Sequence, residues 1–480
     1  MEHQRKLFQQ RGYSEDLLPK TQSQRTWKTF NYFTLWMGSV HNVPNYVMVG
    51  GFFILGLSTF SIMLAIILSA FFIAAVMVLN GAAGSKYGVP FAMILRASYG
   101  VRGALFPGLL RGGIAAIMWF GLQCYAGSLA CLILIGKIWP GFLTLGGDFT
   151  LLGLSLPGLI TFLLFWLVNV GIGFGGGKVL NKFTAILNPC IYIVFGGMAI
   201  WAISLVGIGP IFDYIPSGIQ KAENSGFLFL VVINAVVAVW AAPAVSASDF
   251  TQNAHSFREQ ALGLVVAYIL FAVAGVCIIA GASIHYGADT WNVLDIVQRW
   301  DSLFASFFAV LVILMTTIST NATGNIIPAG YQIAAIAPTK LTYKNGVLIA
   351  SIISLLICPW KLMENQDSIY LFLDIIGGML GPVIGVMMAH YFVVMRGQIN
   401  LDELYTAPGD YKYYDNGFNL TAFSVTLVAV ILSLGGKFIP FMEPLSCVSW
   451  FVGVIVAFAA YALLKKRTTA EKTGEQKTIG

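Results

Sequence analysis

The sequence predicts an all-α polytopic membrane protein: twelve transmembrane helices, built as a 5+5 inverted repeat with two accessory helices. Three observations lead there. Only 10% of the 480 residues are charged and 58% are hydrophobic, with a mean hydropathy of +0.80, whereas soluble domains carry about 25% charged residues. Apolar windows of roughly 20 residues, the length that crosses a bilayer as helix, recur along the whole chain. Two of those windows, five spans apart, are interrupted by polar and helix-breaking residues.

In chain order, residues 1–28 are polar and hold no early apolar core, so a cytoplasmic tail without a cleavable leader is expected. The windows follow at about 29–55, 58–79, 104–135, 151–173, 183–207, 226–247, 261–284, 302–331, 343–360, 369–394, 419–437 and 445–464, with a second tail at 465–480. Spans one to five (29–207) form the first half and spans six to ten (226–394) the second. The last two (419–464) are accessory.

An even number of spans puts both termini on one side. Of the 27 Lys and Arg residues, only Lys137, Lys221, Arg299, Lys361 and Lys437 fall on the other side. The basic side is cytoplasmic by the positive-inside rule, so the net charge of +6 is orientation signal and contact with anionic lipid, not a nucleic-acid footprint. The six cysteines lie in apolar segments without metal-type or paired spacing and read as small packing residues.

The first interruption is GSVHNVPNYVMVGG, Gly38 to Gly51. The second is AAPAVSASD, Ala241 to Asp249, where Pro243 removes a backbone bond and Ser246 and Ser248 offer replacements. A single Pro or Gly in a membrane helix is ordinarily a tolerated kink. Two interruptions at corresponding positions of inverted halves instead point to a transporter binding site, with half-helix ends and unwound backbone at mid-membrane.

Spans three and eight carry further polar groups. Trp119 and Gln123 are i and i+4 on one helical face: a flat stacking surface beside an amide that both donates and accepts. Trp119 alone would read as an aromatic core or interface residue. In TTISTNATGN, Thr316 to Asn325, any one hydroxyl would normally bond back to its own helix, but Asn321 and Asn325 are costlier to bury. This segment holds no Asp, Glu, Lys or Arg, which suits a neutral, amide-rich ligand. His41 fits either a substrate ligand or a backbone-fixing residue. Asp374 and His390 fit either a proton relay or the two ends of span ten.

These residues resemble the nucleobase:cation symporter-1 family. The likeness rests on NYFTLWMGSVHNV, the loop NGAAGSKYGVPFAMILRASYGVRG, WFGLQ, VWAAPAVSASDFTQ and TTISTNATGN, and covers about residues 20 to 465. The His41–Asn42 pair looks closest to the bacterial allantoin permeases, relatives of the hydantoin transporter. The resemblance implies a leucine-transporter type of repeat with alternating access. It implies that Trp119 and Trp240 sandwich a planar ring, with Asn42, Gln123 and Asn325 as amide ligands. It also implies a sodium site from backbone of Gly38 and His41 with Thr316, Ser319 and Thr320. Two departures stand out: His390 where many relatives have Asp, and a short connection before span seven.

The expected function is secondary active import of allantoin or a related hydantoin or ureide, a small neutral heterocycle. A cytosine, uracil or purine permease is the alternative. A channel would need a continuous pore, an enzyme a nucleophile–base pair or metal cluster, and an ATP-driven pump a Gly-rich phosphate loop; the sequence offers none, so no ATP and no cofactor is expected beyond a coupling ion. Between Na+ and H+ the residues do not choose.

Overall fold

The computed structural model describes residues 2–287, 290, 292–337, 340–363, 366–406 and 416–478, and they are predominantly helical. The first span is two helices, α1 (Thr29–Val40) and α2 (Val43–Phe52), separated by His41 and Asn42. Then come α3 (Thr59–Asn80), α4 (Leu105–Ile138), α5 (Leu156–Gly176) and α6 (Pro189–Val206). The sixth window is three pieces: α7 (Ser225–Val239), α8 (Ala241–Val245) and α9 (Ala247–Thr251). The remainder is α10 (Phe257–Tyr286), α11 (Leu303–Ile336), α12 (Tyr343–Leu356), α13 (Leu371–Val394), α14 (Leu420–Lys437) and α15 (Ser449–Thr478).

Among the described residues, eight of these helices are long and apolar enough to cross a membrane, or nine if Pro440–Ser446 and Ser449–Lys465, bent by 86°, count as one. The windows that fall outside that number are the two interrupted ones and the ninth, where helix ends at Leu356 rather than near residue 360. The breaks cut two windows into pieces each too short to span alone. The fourth window also starts late, because residues 150–155 are not helix. They form a two-stranded hairpin in the register Thr150↔Ser155, turned by Leu152 and Gly153 at positive φ.

Local chemistry sets the helix ends. Side chains of Asn42, Ser58, Ser302 and Thr342 accept from the first-turn amides of α2, α3, α11 and α12. Gly176, at φ 59° and ψ −157°, breaks the long helical run between α5 and α6, a conformation that costs glycine little. Outward faces are apolar, as at Phe71, Phe72, Ile193 and Leu356, which suits contact with acyl chains.

Close packing follows small residues. Gly377, Gly381 and Gly385 form a stripe along α13, and a Cβ on Gly381 would lie 2.9 Å from the carbonyl of Trp450 on α15. α10 packs across both α1 and α3, and α11 lies between α1, α4 and α5. The two interruptions therefore face α4 and α11 across one central space.

The N-terminal tail is docked rather than free. Phe8 stacks on Tyr405 at 4.3 Å, and the Tyr13 hydroxyl donates to the Thr406 carbonyl at 2.9 Å. Arg25 donates twice to the carbonyl of Ala254, at 3.1 and 2.8 Å. Burial lowers the Lys20 ammonium from its ordinary range and raises the Asp16 carboxyl. The aromatic residues of MEHQRKLFQQRGYSEDLLPK, which composition alone reads as a solvated tail, carry this docking.

Candidate substrate and cation site

A cavity lies where the two interruptions meet α4 and α11. Trp36, Ser39, Asn42 and Asn45 reach it from the first span, and Trp119 and Gln123 from α4. Trp240, Ala242, Pro243 and Phe250 come from the broken sixth window, and Thr320, Thr323, Gly324 and Asn325 from α11. Its lining contains no charged side chain.

Trp119 and Trp240 line the same space from opposite elements. Trp119 sets its edge on Phe372 at 5.3 Å, while Trp240 packs edgewise on Trp36 at 5.0 Å and on Tyr268 at 5.3 Å. Each indole is thus held by its own partners, a requirement for a stacking platform. Four polar atoms in the lining are buried without a hydrogen-bond partner: Gln123 Oε1, Trp36 Nε1, Trp240 Nε1 and Thr323 Oγ1. An orphaned buried polar atom costs about 1–3 kcal/mol, so the cavity is prepared for a ligand that brings both donors and acceptors.

The expected amide residues differ in what they already do. Asn325 donates to Asn321 Oδ1 at 2.9 Å. Asn321 does not line the cavity; it turns to α5 and donates to Asn169 Oδ1 at 3.1 Å. Asn42 is engaged in the break itself: Oδ1 accepts from the Asn45 amide at 3.1 Å and Nδ2 donates to the Ser39 carbonyl at 2.6 Å. As a substrate ligand it must act from the position its capping role holds.

His41 is the clear correction. Its imidazole is not in the cavity lining. The ring lies in an aromatic cage, stacked on Phe195 at 4.7 Å with Phe271 edge-on at 5.4 Å, and its Nδ1 is 2.9 Å from the Tyr46 hydroxyl. The substrate-ligand reading of this side chain fails because the helix path at the break turns it away from the cavity. The ring ties to a side chain of α2, the Tyr46 hydroxyl, while its Nε2 is buried without a partner.

The candidate cation site is rich in oxygen and poor in protons. Thr320 Oγ1 lies 3.2 Å from the carbonyl of Gly38, 3.2 Å from that of Ser39 and 2.9 Å from that of Thr316. One hydroxyl has one proton and can donate to only one of the three at a time. Ser319 Oγ is buried and unpartnered, and a Cβ on Gly38 would sit 2.8 Å from it, so that hydroxyl faces the α1 backbone directly. The Thr316 hydroxyl donates back to the Ile313 carbonyl at 2.9 Å, which spends its proton and leaves its oxygen lone pairs for a cation beside its own carbonyl. The donor set, together with the carbonyl end of α1, suits a hard cation. Ser39 rather than His41 supplies the second α1 carbonyl found here. No cluster of three His, Cys, Asp or Glu suited to a metal occurs among the described residues.

Sequence reasoning missed Arg111, which charge counting assigned to a cytoplasmic connection. It is fully buried in α4, donating from Nε to Ser246 Oγ at 3.1 Å and from Nη2 to the Gly324 carbonyl at 2.8 Å. Its backbone lies in a π-helical turn, Leu109–Ala115, and Gly324 lies in another, Ala322–Ile326. Its place inside the third window was the available signal. Trp36, two residues before Gly38, was missed as well. Asp374 pairs with Lys437 at 2.6 Å, and His390 Nδ1 is 2.8 Å from the Tyr461 hydroxyl; neither lines the cavity.

Comparison with known proteins places these features. The model of a family described as permeases for cytosine/purines, uracil, thiamine and allantoin matches residues 19–453. The chain is 98% identical to a putative allantoin permease of Escherichia coli strain K12, with both chains covered in full. It is 38% identical to the allantoin permease of Bacillus subtilis strain 168, covering 94% of this chain and 93% of that one. Among solved structures it resembles the nucleobase-cation-symport-1 family transporter Mhp1, in a closed conformation with bromovinylhydantoin bound. There the identity is 23%, the coverage 96% of each chain and the TM-score 0.75. The inward-facing conformation of Mhp1 matches with a TM-score of 0.72 at 22% identity. These structural likenesses establish the fold.

Proposed function

The chain belongs to the family of permeases for cytosine/purines, uracil, thiamine and allantoin, and we propose that it imports allantoin, or a related hydantoin or ureide, across the cytoplasmic membrane by alternating access. In this reading the twelve windows are twelve spans in a 5+5 inverted repeat plus two, with both termini cytoplasmic. The names of the two bacterial relatives at 98% and 38% identity support the substrate class.

One observation carries the reading: an uncharged cavity at the junction of two broken helices, lined by three indoles and by donors and acceptors left unpaired. A small neutral ring bearing N–H and C=O groups would lie against Trp119 and Trp240 and exchange bonds with Gln123, Asn325 and Asn42. A charged substrate would find no counter-charge in the lining. Gly38, Ser39, Thr316, Ser319 and Thr320 would hold the coupling cation, and sodium fits the all-oxygen set. Because α1 and α11 both border this site and the cavity, cation and substrate would favour each other reciprocally.

Uptake of labelled allantoin, hydantoin, cytosine and uracil in cells expressing the protein, in sodium and in choline buffer, tests this. Allantoin uptake raised by sodium is expected. Transport of cytosine or uracil without allantoin would shift the reading to a nucleobase permease, and equal affinity in the two buffers would remove sodium. Trp119→Ala, correctly inserted, should weaken binding by roughly 1–3 kcal/mol, about 5- to 150-fold. Wild-type affinity in that variant would sink the stacking site.

A further inference from the structure

A second and larger cavity opens beneath the first. The docked N-terminal segment walls it with Lys20 and Trp27, and Asp249, Asn253, Tyr331 and Tyr343 face them. It lies on the side of the termini, the basic side of the molecule. The two cavities share two lining residues, Phe250 and Thr323.

Those two side chains come from opposite elements. Phe250 is on α9, a five-residue helix, and is 6% exposed. Its ring edge packs on Trp36 at 5.0 Å, and its carbonyl accepts from the Tyr32 hydroxyl at 2.9 Å, so it is tied to α1 at two points. Non-helical residues flank the short pieces before it: Trp240 at φ −93° and ψ 2°, Ser246 at φ −93° and ψ 27°. Rotation at these points can swing the ring while α7 stays in place. Thr323 lies in the π-helical turn of α11, and its hydroxyl is buried with no partner.

We infer that Phe250 and Thr323 form the gate between the substrate cavity and the cytoplasmic vestibule. The ring closes the passage, and the free Thr323 hydroxyl is the polar contact a departing ligand meets first. The vestibule beyond carries charge of both signs, Arg5 and Lys20 with Glu15, Asp16 and Asp249, unlike the uncharged inner cavity. The inference rests on the transport reading, but the labelling test of Phe250 does not require the substrate to be known.

Ala242 lines the inner cavity alone. In a chain whose six native cysteines are replaced by alanine, Ala242→Cys supplies one thiol behind the gate. Inside-out vesicles are treated with a membrane-impermeant maleimide, which reaches the protein from its cytoplasmic face. Phe250→Ala should speed labelling about tenfold, equivalent to about 1.4 kcal/mol off the closed state, and Phe250→Trp should slow it. Equal rates in all three chains would overturn the gate. Should Phe250→Ala fail to insert, Phe250→Leu takes its place, with an increase of severalfold expected and the same null result decisive. Thr323→Val should slow efflux of preloaded allantoin from vesicles severalfold; unchanged efflux removes the hydroxyl's role. If wild-type protein moves no allantoin yet labelling still responds to Phe250, the substrate assignment fails and the gate stands.

Discussion

The two helix breaks solve one problem in opposite ways. Each strands backbone groups inside a low-dielectric fold, where every unpaired one is costly. The break between α1 and α2 is closed mainly by its own residues: Asn42 caps α2 and returns a bond to Ser39, and Asn45 donates to the Val40 carbonyl at 2.8 Å, with Thr320 of α11 the outside hydroxyl beside the Gly38 and Ser39 carbonyls. The break between α7 and α9 depends on other elements. Asn80 of α3 donates to the carbonyls of Ala244 and Val245 at 2.7 and 2.9 Å, and Arg111 of α4 holds Ser246. Thr251 at its end donates to the Gly81 carbonyl at 2.7 Å. A break closed mainly within itself depends less on where its neighbours sit. A break closed by its neighbours reports their position.

Arg111→Leu gives the sharpest way to break this comparison. It removes two charge-assisted bonds and leaves the Gly324 carbonyl and the Ser246 hydroxyl without their donor, a loss of about 3–6 kcal/mol at roughly 1.5–3 each. Thermal unfolding of the purified protein in detergent should show a large fall in Tm. An unchanged Tm would mean that the sixth-window break does not need outside support.

Asn80→Leu is the intermediate case. Two carbonyls on one short helix lose their partner, which should cost about 1–3 kcal/mol in the same assay. Combined with Arg111→Leu the effects should be non-additive, because both act on the segment from Ala241 to Thr251. Strict additivity would show two independent supports instead of one shared break.

Asn42→Ala should have the smallest effect on stability, about 0.5–2 kcal/mol for a lost N-cap. Asn42→Ser keeps a capping oxygen and should recover most of that stability. If Asn42 also bonds the substrate, Asn42→Ser should remain poor in allantoin affinity although its Tm is restored. Recovery of both would confine Asn42 to the break.

This contrast also explains what could be read in advance. The first break is legible because its parts are local: Asn, then Val-Pro two positions on, is a helix start with proline in the first turn, and Gly38 precedes it. The apolar windows, the i and i+4 pairing of Trp119 with Gln123 and the hydroxyl-rich stretch of α11 are local in the same sense. Arg111 was misread because charge counting treats a guanidinium near the end of a span as solvated. Its burial depends on Ser246 and Gly324, more than a hundred positions away.

By itself, then, the sequence determined the membrane class, the position of both interruptions and the polar residue types gathered around them. Those follow from hydropathy and from backbone chemistry within a few residues. Tertiary structure alone decided the direction of His41, which Phe195 and Phe271 draw into an aromatic cage, and the docking of the N-terminal segment on Tyr405 and Thr406. It alone set Phe250 and Thr323 between two cavities. The physical reason is range: periodicity and capping act over one or two helical turns, whereas the facing of a side chain depends on which distant helix packs against it.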